Sequence, residues 1–404
     1  MYIFKAAVVG AGAMGAGIAQ VISYSGLPVV LKDVDQAMLD KGMQHVHKIY
    51  QSRVDKGKMS AGELDSKMAL ITPVLDYGEF GDVDIVIEAV PEKMALKQKV
   101  FAELDATCPE GTIFASNTSA LSISEMGAAT KRPRKVIGMH FFNPAHVMKL
   151  VEIIRGEGTD EETVQDAVTF TESLRKIPVV VKECPGFLVN RLLMPYLTEA
   201  TLALQEGAAA AQEIDGAMVD TGWPMGPFTL MDFLGLDVCH EVGQYLTSQY
   251  GDRLQGAILF EKLVQAGRLG EKSGAGFYGY GDATDEPVKQ LIAEISGGQK
   301  LSEFSPERLM YPMLNEAARA AEENIADVRD IDMAMIAGTG MMVKGERIGP
   351  LALADKIGID VLVAGLEDFE KKYGRRFHPA NKLYELVKEG RTGEKARAGF
   401  LEYV

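Results

Sequence analysis

A glycine-rich turn close to the amino terminus is the feature that most restricts how this chain can fold. An apolar run over residues 5–9 precedes the turn, and a helix-compatible run to Tyr24 follows it. A second apolar run, residues 28–32, comes next. In this setting glycines permit a tight turn and let a pyrophosphate approach the amino terminus of the helix. The pattern predicts a Rossmann-type dinucleotide-binding unit whose turn glycines are Gly10, Gly12 and Gly15.

The second strand of this unit ends in an acidic residue. Asp33 lies 18 positions after Gly15. A carboxylate at this place accepts hydrogen bonds from both hydroxyls of an adenosine ribose and repels a 2′-phosphate. We therefore expect the cofactor to be NAD and not NADP. The alternative is a glycine turn that serves only packing, with Asp33 solvated.

Strand and helix signals alternate as far as residue 184. Further strands are predicted at residues 84–90, 112–115 and 177–181, and a helix is predicted at residues 159–174. Alternation of this kind is typical of an α/β domain with a largely parallel sheet. Cys184, Pro185 and Gly186 then break the alternation. We expect the dinucleotide-binding domain to comprise residues 1–184.

One histidine and one carboxylate lie in two neighbouring apolar runs. His140 belongs to the run 136–141 and Glu152 to the run 150–155, with Asn143-Pro144 as a break between them. Both runs predict buried strands, because β-branched and apolar residues dominate them. A histidine held by a buried carboxylate has a fixed tautomer and can take a proton from a hydroxyl near neutral pH. The alternative is a core histidine bonded to a backbone carbonyl, with Glu152 on an edge.

Polar residues follow two other predicted strands. Glu92 and Lys97 come after the strand at residues 84–90, and four small polar residues, 116–119, come after the strand at residues 112–115. Because ligands bind at the carboxyl ends of strands in open α/β sheets, both groups are candidates for a site near a nicotinamide. The alternatives are an ordinary surface Glu–Lys pair and, for the second group, a helix cap, since Ser119 and Ser122 are good N-cap residues.

The predicted helix at residues 35–58 is basic within an acidic protein. Its second half carries Lys41, Lys48, Arg53, Lys56 and Lys58 against Asp55. A local excess of positive charge favours an anionic ligand. A solvated helix face explains any single one of these residues equally well.

The remainder of the chain has helical patterning and repeats itself. The stretch 190–195 resembles 307–312 at an offset of 117 residues, and after a six-residue insertion Gly276-Phe277 resembles Gly399-Phe400 at an offset of 123. We therefore expect one helical copy at residues 185–281, followed by a linker and a second copy at residues 282–404. Strand signals largely cease here, so the region is predicted to be all-α.

The duplication also separates structural from functional residues. A residue kept in both copies serves the fold, whereas one kept only beside the dinucleotide domain is a functional candidate. Asn190 becomes Glu307 in the second copy and is therefore a functional candidate. Lys272 reappears as Lys395 and is discounted towards a structural role.

Composition excludes several classes of protein. The net charge of −15 argues against nucleic-acid binding, and no apolar run reaches the roughly 20 residues of a membrane helix. The three cysteines, Cys108, Cys184 and Cys239, are widely spaced and predict reduced thiols and no metal site. The chain starts directly with a strand and a glycine turn, so we expect no signal peptide and a cytoplasmic location.

The motifs together resemble a known family. GAGAMG with Asp33, SNTS at 116–119, HFFNP at 140–144, LVEII at 150–154 and PGFLVNR at 185–191 are similar to the L-3-hydroxyacyl-CoA dehydrogenases of fatty-acid β-oxidation. The likeness runs from about residue 5 to 280, and the second helical copy resembles the end of the multifunctional β-oxidation proteins. It implies an NAD-dependent oxidation of 3-hydroxyacyl-CoA.

The resemblance also implies roles for individual residues. His140 would be the general base, Glu152 its orienting partner, and Ser119 and Asn190 polar contacts to the substrate. Lys48 and Arg53 would lie on the helix that faces the CoA phosphates. The residues expected around NAD are Gly10, Gly12, Gly15, Asp33, Glu92, Lys97, Asn117, Asn143 and Lys272.

The resemblance implies partners as well. We expect an acyl-CoA substrate, functional association with enoyl-CoA hydratase and thiolase, and a monomer or homodimer. Because no hydratase segment precedes Met1, the chain is expected to carry only the dehydrogenase step. We expect the site in the cleft between the dinucleotide domain and the first helical copy. Two alternatives remain at this point: an NAD-dependent dehydrogenase of a hydroxy acid without CoA, and a non-catalytic structural relative.

Overall fold

A computed structural model describes residues 2–254 and 256–403, with only the backbone of Asp252, and divides the chain into two units. The first unit is Met1–Phe187 and the second is Leu188–Val404.

The first unit is built on one eight-stranded sheet. Its strand order is β3-β2-β1-β4-β5-β6-β7-β8, and all neighbouring strands are parallel except β6 and β7, which are antiparallel. The strands are β1 (Ala6–Val9), β2 (Val29–Lys32), β3 (Ile71–Val74), β4 (Ile85–Glu88), β5 (Ile113–Ser116), β6 (Val136–Phe141), β7 (Leu150–Arg155) and β8 (Ile177–Lys182).

Burial explains the composition of these strands. Every residue of β1, β2, β4, β5 and β6 is buried, as expected for strands covered on both faces. Pro73 and Pro178 occur in the two outermost strands, β3 and β8, where a missing backbone donor is tolerated.

Within the described part of the first unit, residues 2–187, there are six helices. Residues of α1 and α2 pack in one apolar cluster with the central strands, and residues of α4 and α5 pack in another. The helices are α1 (Ala13–Ser25), α2 (Gln36–Asp55), α3 (Ala61–Met68), α4 (Met94–Thr107), α5 (Ile123–Ala128) and α6 (Glu161–Ser173). The α/β class predicted from the sequence is confirmed.

The second unit is almost entirely helical. The exception within its described residues is a short antiparallel hairpin of β9 (Met342–Val343) and β10 (Glu346–Arg347), which the all-α prediction did not include. The helices are α7 (Val189–Gln205), α8 (Ala211–Thr221), α9 (Pro227–Leu234), α10 (Leu236–Tyr250), α11 (Ile258–Gln265), α12 (Glu286–Ser296), α13 (Pro306–Glu322), α14 (Val328–Thr339), α15 (Pro350–Ile357), α16 (Ile359–Tyr373) and α17 (Asn381–Lys388).

The helix bounds reproduce the internal repeat. The bounds of α7 recur in α13 at an offset of 117, and those of α9, α10 and α11 recur in α15, α16 and α17 at an offset of 123. The region between the copies is not only a connection, because it contains α12, which ends at Gly297 in the left-handed conformation. Among the described residues, no helix combines the length and the apolar character needed to span a membrane.

Candidate active site

The glycine turn lies at the point where the strand order of the sheet reverses. β1 pairs with β2 on one side and with β4 on the other, and Val9 is level with both Lys32 and Glu88. In open α/β sheets this switch point, at the carboxyl ends of the strands, is where ligands bind. The turn that leaves β1 is therefore placed as a nucleotide site requires.

Two of the three turn glycines are required by the packing of the turn, and the third borders open space. Gly10 has a φ of +105°, and a Cβ there would lie 2.6 Å from the carbonyl oxygen of Ala89. A Cβ on Gly15 would lie 1.8 Å from the carbonyl oxygen of Gly10, so only glycine lets α1 pack this closely on the turn. A Cβ on Gly12 would meet nothing within 4 Å, which leaves open space beside the amino terminus of α1. That space and the helix dipole suit a pyrophosphate.

Asp33 connects β2 to the glycine turn. Its Oδ2 accepts a hydrogen bond from the backbone N–H of Ala11 at 2.8 Å, and its Oδ1 accepts one from the N–H of Val34 at 2.7 Å. Oδ1 also accepts a longer hydrogen bond, 3.3 Å, from the N–H of Asp35. Because a carboxylate oxygen can accept two hydrogen bonds, Oδ2 retains an acceptor position for a ribose hydroxyl. The alternative of a merely solvated Asp33 does not describe this residue.

A buried ion-pair network follows β4. Lys97 is 1% exposed and donates to both carboxylate oxygens of Glu88, at 2.8 and 3.0 Å, and to the carbonyl of Val90 at 3.3 Å. Its Nζ also lies 3.2 Å from Oε2 of Glu92. The alternative of an ordinary surface Glu–Lys pair therefore does not describe Lys97, whose ammonium is fully engaged by protein oxygens. Its place beside a nicotinamide stays a prediction. Sequence reasoning missed Glu88, although a single acidic residue at the end of a buried strand was a signal.

The polar loop after β5 is tied to the same network. Glu92 accepts hydrogen bonds from the hydroxyl of Thr118 and, at 3.1 Å, from the backbone N–H of Ser119. Asn117 accepts one from the N–H of Phe141 at 2.8 Å, which fixes the loop against the end of β6. The helix after this loop is capped by Ser122, whose Oγ accepts from the N–H of Glu125. The cap interpretation therefore applies to Ser122, and a pocket role of Ser119 stays a prediction.

His140 and Glu152 are directly opposite each other in the β6–β7 ladder. Nδ1 of His140 lies 2.7 Å from Oε2 of Glu152. The histidine is 5% exposed and the glutamate fully buried, so this contact is shielded from water. The predicted pairing is present, and the alternative in which the histidine bonds a backbone carbonyl is not needed. Nδ1 is the nitrogen that the carboxylate holds, which leaves Nε2 as the nitrogen for chemistry.

Aromatic rings surround the imidazole. The ring centroid of Phe142 lies 4.5 Å from that of His140, and the centroid of Phe187 lies 5.9 Å away. Asn143 is exposed and begins the turn after β6, where its bond to Pro144 is cis. The histidine is thus held by packing as well as by its hydrogen bond.

Two titratable groups outside α2, His146 and Lys176, have lowered pKa values and so add less positive charge to the basic part of that helix. Arg53 donates to the hydroxyl of Tyr24 at 2.7 Å, and Lys48 is exposed on the same helix. Burial lowers the pKa of His146, and the nearby charges of His45, Lys176 and Arg53 lower it further. Burial likewise lowers the pKa of Lys176 to about 8. Sequence reasoning missed His146 and Lys176, because they lie outside the helix that it considered.

Two predicted residues belong to the second unit. Asn190 lies in the first turn of α7. Lys272 donates to both carboxylate oxygens of Asp237, at 2.5 and 2.7 Å, which agrees with the structural role favoured by the duplication. Whether either residue acts with His140 stays a prediction.

Comparison with known proteins identifies two kinds of domain. Residues 5–184 match the NAD-binding domain of 3-hydroxyacyl-CoA dehydrogenase. Residues 186–280 and again 304–403 match the C-terminal domain of the same family. The second match occurs twice because of the internal repeat.

Individual relatives agree with the domain matches. A fatty acid oxidation complex subunit alpha from Shewanella amazonensis is 40% identical over 399 residues, which cover 96% of this chain and 56% of that protein. The chain thus spans about half the length of such curated relatives. The crystal structure of 3-hydroxybutyryl-CoA dehydrogenase from Escherichia coli K12 has a TM-score of 0.86 and 30% identity, covering 96% of this chain and 100% of that one.

A shorter relative matches about two thirds of the chain. The structure of (S)-3-hydroxybutyryl-CoA dehydrogenase from Ralstonia eutropha is 40% identical with a TM-score of 0.68, covering 70% of this chain and 100% of that one. Taken with the two domain matches, these relatives show that the chain belongs to the 3-hydroxyacyl-CoA dehydrogenase family, a family of NAD-dependent oxidoreductases.

Proposed function

We propose that this chain catalyses the reversible, NAD-dependent oxidation of (3S)-3-hydroxyacyl-CoA to 3-ketoacyl-CoA. The observation that carries the proposal is the buried 2.7 Å contact between His140 and Glu152 at the end of β6. β6 is parallel to β5 and, through it, to β4 and β1, so its end lies at the same edge of the sheet as the glycine turn. A base and a nucleotide site on one sheet edge are the two parts that a hydroxyl oxidation requires.

The residues present fit the cofactor. The open side of Gly12 and the amino terminus of α1 would hold the pyrophosphate, and Asp33 would accept the ribose hydroxyls. NAD, when bound, supplies the nicotinamide that accepts a hydride from the hydroxyl-bearing carbon. Lys97 would act indirectly, since its bonds hold Glu88 and Glu92 in place beside the loop 116–119.

Proton transfer belongs to His140. In the oxidation, Nε2 takes the proton of the 3-hydroxyl, and the Glu152 carboxylate at Nδ1 stabilises the imidazolium that forms. In the reverse direction, the imidazolium returns the proton to the ketone oxygen. Ser119 and Asn190 are proposed as polar contacts to the substrate, and Asn117, Asn143 and Lys272 as residues around the cofactor.

The acyl carrier is proposed to be coenzyme A. The part of α2 that carries Lys48 and Arg53 is a basic region that suits phosphate groups, since both side chains are positively charged. A hydroxy acid without CoA would have no use for this region.

Partners and location are proposed from the relatives. Proteins similar to this chain are named as subunits of a fatty acid oxidation complex, so we expect association with an enoyl-CoA hydratase and a thiolase. Its three cysteines are free thiols, which fits a cytoplasmic location. Co-purification from cell extract tests the first expectation, and cell fractionation tests the second.

A substrate comparison tests the proposed activity. Purified protein is assayed for oxidation of NADH or NADPH with acetoacetyl-CoA and, separately, with free acetoacetate. We expect turnover with acetoacetyl-CoA and NADH, weak turnover with NADPH because of Asp33, and little with the free acid. A preference for the free acid would indicate the hydroxy-acid alternative. No turnover with either substrate would indicate the non-catalytic one.

A further inference from the structure

The end of β6 that carries His140 extends beyond the neighbouring strand β5. β5 ends at Ser116, which is level with Gly138 of β6. β6 continues to Phe141, and over these last residues it pairs with β7 on its other side. His140 therefore lies on a strand end that the β5 ladder does not reach.

A side chain of the loop after β5 continues the hydrogen bonding at this point. Oδ1 of Asn117 accepts the N–H of Phe141 at 2.8 Å. The bond takes the place of the one that a longer β5 would make to the same N–H. Because Phe141 directly follows His140, the bond holds the backbone that carries the imidazole. The orientation of His140 thus depends on the position of Asn117.

Glu88, the last residue of β4, holds Asn117 in that position. The backbone carbonyl of Glu88 accepts the N–H of Asn117 at 2.8 Å. Its Oε2 accepts the hydroxyl of Ser116 at 2.6 Å, and Oγ of Ser116 in turn accepts the N–H of Thr118 at 3.2 Å. Glu88 is thus bonded directly to two consecutive residues at the end of β5 and indirectly to a third.

A buried ammonium fixes the carboxylate of Glu88. Lys97 donates to both of its oxygens, and the N–H of Val90 donates to Oε1 at 2.7 Å. Both Glu88 and Lys97 are buried. The donors lie on both oxygens of the carboxylate, so a glutamine, which has a single accepting oxygen, could not satisfy all of them.

We propose that Glu88 is a positioning residue for His140, which acts through the loop 116–119 and the hydrogen bond from Phe141 to Asn117. The proposal rests on the proposed function, because it takes His140 as the base. A displacement of about 1 Å far from the chemistry can cost roughly 10²-fold in rate. Loss of Glu88 therefore lowers turnover in protein that is still folded.

Substitution of Glu88 tests the proposal. Glu88→Gln keeps the size of the side chain and removes the charge that Lys97 binds. We expect kcat with acetoacetyl-CoA, at saturating NADH, to fall roughly 10- to 100-fold. The NMR signal of the Nδ1 proton of His140, which is shielded in the 2.7 Å contact with Glu152, should shift or broaden. If Glu88→Gln does not fold, Ser116→Ala cuts the side-chain bond to the loop and should change both readouts in the same direction.

Asp105→Asn is the matched control. Asp105 is a carboxylate of the same unit that accepts from Nε of Arg132 at 2.6 Å, and its side chain is 8% exposed. Arg132 precedes β6, so this pair lies at the opposite end of that strand from His140. We expect Asp105→Asn to lower the Tm and to leave kcat and the His140 signal unchanged. The control separates a loss of stability from a loss of positioning.

A double substitution tests the route through Asn117. Asn117→Ala removes the bond to Phe141, so adding Glu88→Gln to it should lower kcat by no more than about threefold further. If the wild-type protein turns over no substrate, the proposed function fails, and the His140 signal still tests the positioning role. The proposal is overturned if folded Glu88→Gln keeps the wild-type His140 signal and kcat, or if Glu88→Gln has its full effect in the Asn117→Ala background.

Discussion

The chemistry proposed for this chain depends on which nitrogen of His140 is free. Glu152 occupies Nδ1 from the neighbouring strand, and the ladder pairs the two residues directly, so the contact is set by backbone register. A shift of one residue in either strand would turn the carboxylate to the opposite face of the sheet. The strand pairing therefore fixes the tautomer of the proposed base.

Glu152→Gln tests this dependence on the carboxylate. Glutamine can keep a hydrogen bond to Nδ1 but carries no charge to stabilise the imidazolium, so we expect kcat to fall at least about tenfold. The dissociation constant of NADH, measured by fluorescence titration, should remain unchanged. Wild-type kcat in a folded Glu152→Gln protein would show that the carboxylate is not needed.

Residue-level prediction from the sequence succeeded where a pattern was local. The His140–Glu152 contact could be predicted because both residues lie in adjacent apolar runs joined by a short turn. The partner of Lys97 could not be predicted in the same way. Glu88 is the final residue of an otherwise apolar strand, and nothing in the spacing shows that Lys97 reaches back to it.

At the level of elements, buried aspartates join the helices of each repeat. Asp215 accepts from the backbone N–H groups of Phe228 and Thr229 at the start of α9, and also from the hydroxyls of Thr229 and Tyr278. Asp332 makes the equivalent backbone contacts to α15. The second copy, however, has Ala352 where the first has Thr229 and Leu401 where the first has Tyr278, so Asp332 lacks both hydroxyl donors. Burial raises the pKa of Asp332 to about 6, because fewer donors compensate the charge.

A pH-dependent stability difference follows from that raised pKa. The folded state binds the proton of Asp332 more tightly than the unfolded state does, so this group adds stability as the pH falls through about 6 towards 3.8. Asp332→Asn cannot titrate. We expect the destabilisation of Asp332→Asn, measured as its free energy of unfolding relative to wild type, to be larger by about 2 kcal/mol at roughly pH 4 than at roughly pH 7.5.

Urea denaturation of both proteins at the two pH values measures this difference. Ala352→Thr restores the hydroxyl found at Thr229 and should reduce the pH dependence. If Asp332→Asn lowered the free energy of unfolding equally at both pH values, a raised pKa of Asp332 would be contradicted.

The elements that sequence reasoning missed have weak local signals. β3 has two exposed residues, one of which is Pro73, so it lacks the apolar run that marks the central strands. The hairpin β9–β10 has two residues in each strand, too few for any periodicity. α12 has a proline in its first turn and is followed by two glycines. Proline and glycine are typical of loops, so the sequence predicts a linker here.

At the level of the whole molecule, the two helical copies of the second unit are joined by reciprocal buried ion pairs. Arg191 of α7 bonds Glu316 at 2.7 Å, and Arg308 of α13 bonds Glu199 at 3.1 Å. Both arginines are fully buried. Because each pair maps onto the other at the offset of 117, the copies meet as two halves related by approximate two-fold symmetry. The sequence comparison showed the repeated residues, but their cross-pairing needed the structure.

Removal of either arginine should destabilise the second unit to a similar extent. Arg191→Met or Arg308→Met removes one buried arginine, while Arg253 remains beside Glu316 and Arg376 beside Glu199. We therefore expect a cost below the roughly 3 to 5 kcal/mol of a wholly unpaired buried charge, at about 2 kcal/mol. Thermal and urea unfolding measure the cost. Lys372→Met, which breaks the exposed pair with Asp368, is the control and should have little effect. Arginine variants as stable as this control would show that the pairs do not hold the copies together.

The central claim is that His140 transfers the proton while the cofactor binds elsewhere on the same sheet edge. The most direct measurement compares wild type and His140→Gln in turnover of acetoacetyl-CoA with saturating NADH, together with the dissociation constant of NADH. The account predicts that turnover falls about 10²- to 10⁴-fold while the dissociation constant stays within about twofold. Near-normal turnover in the folded variant would contradict it.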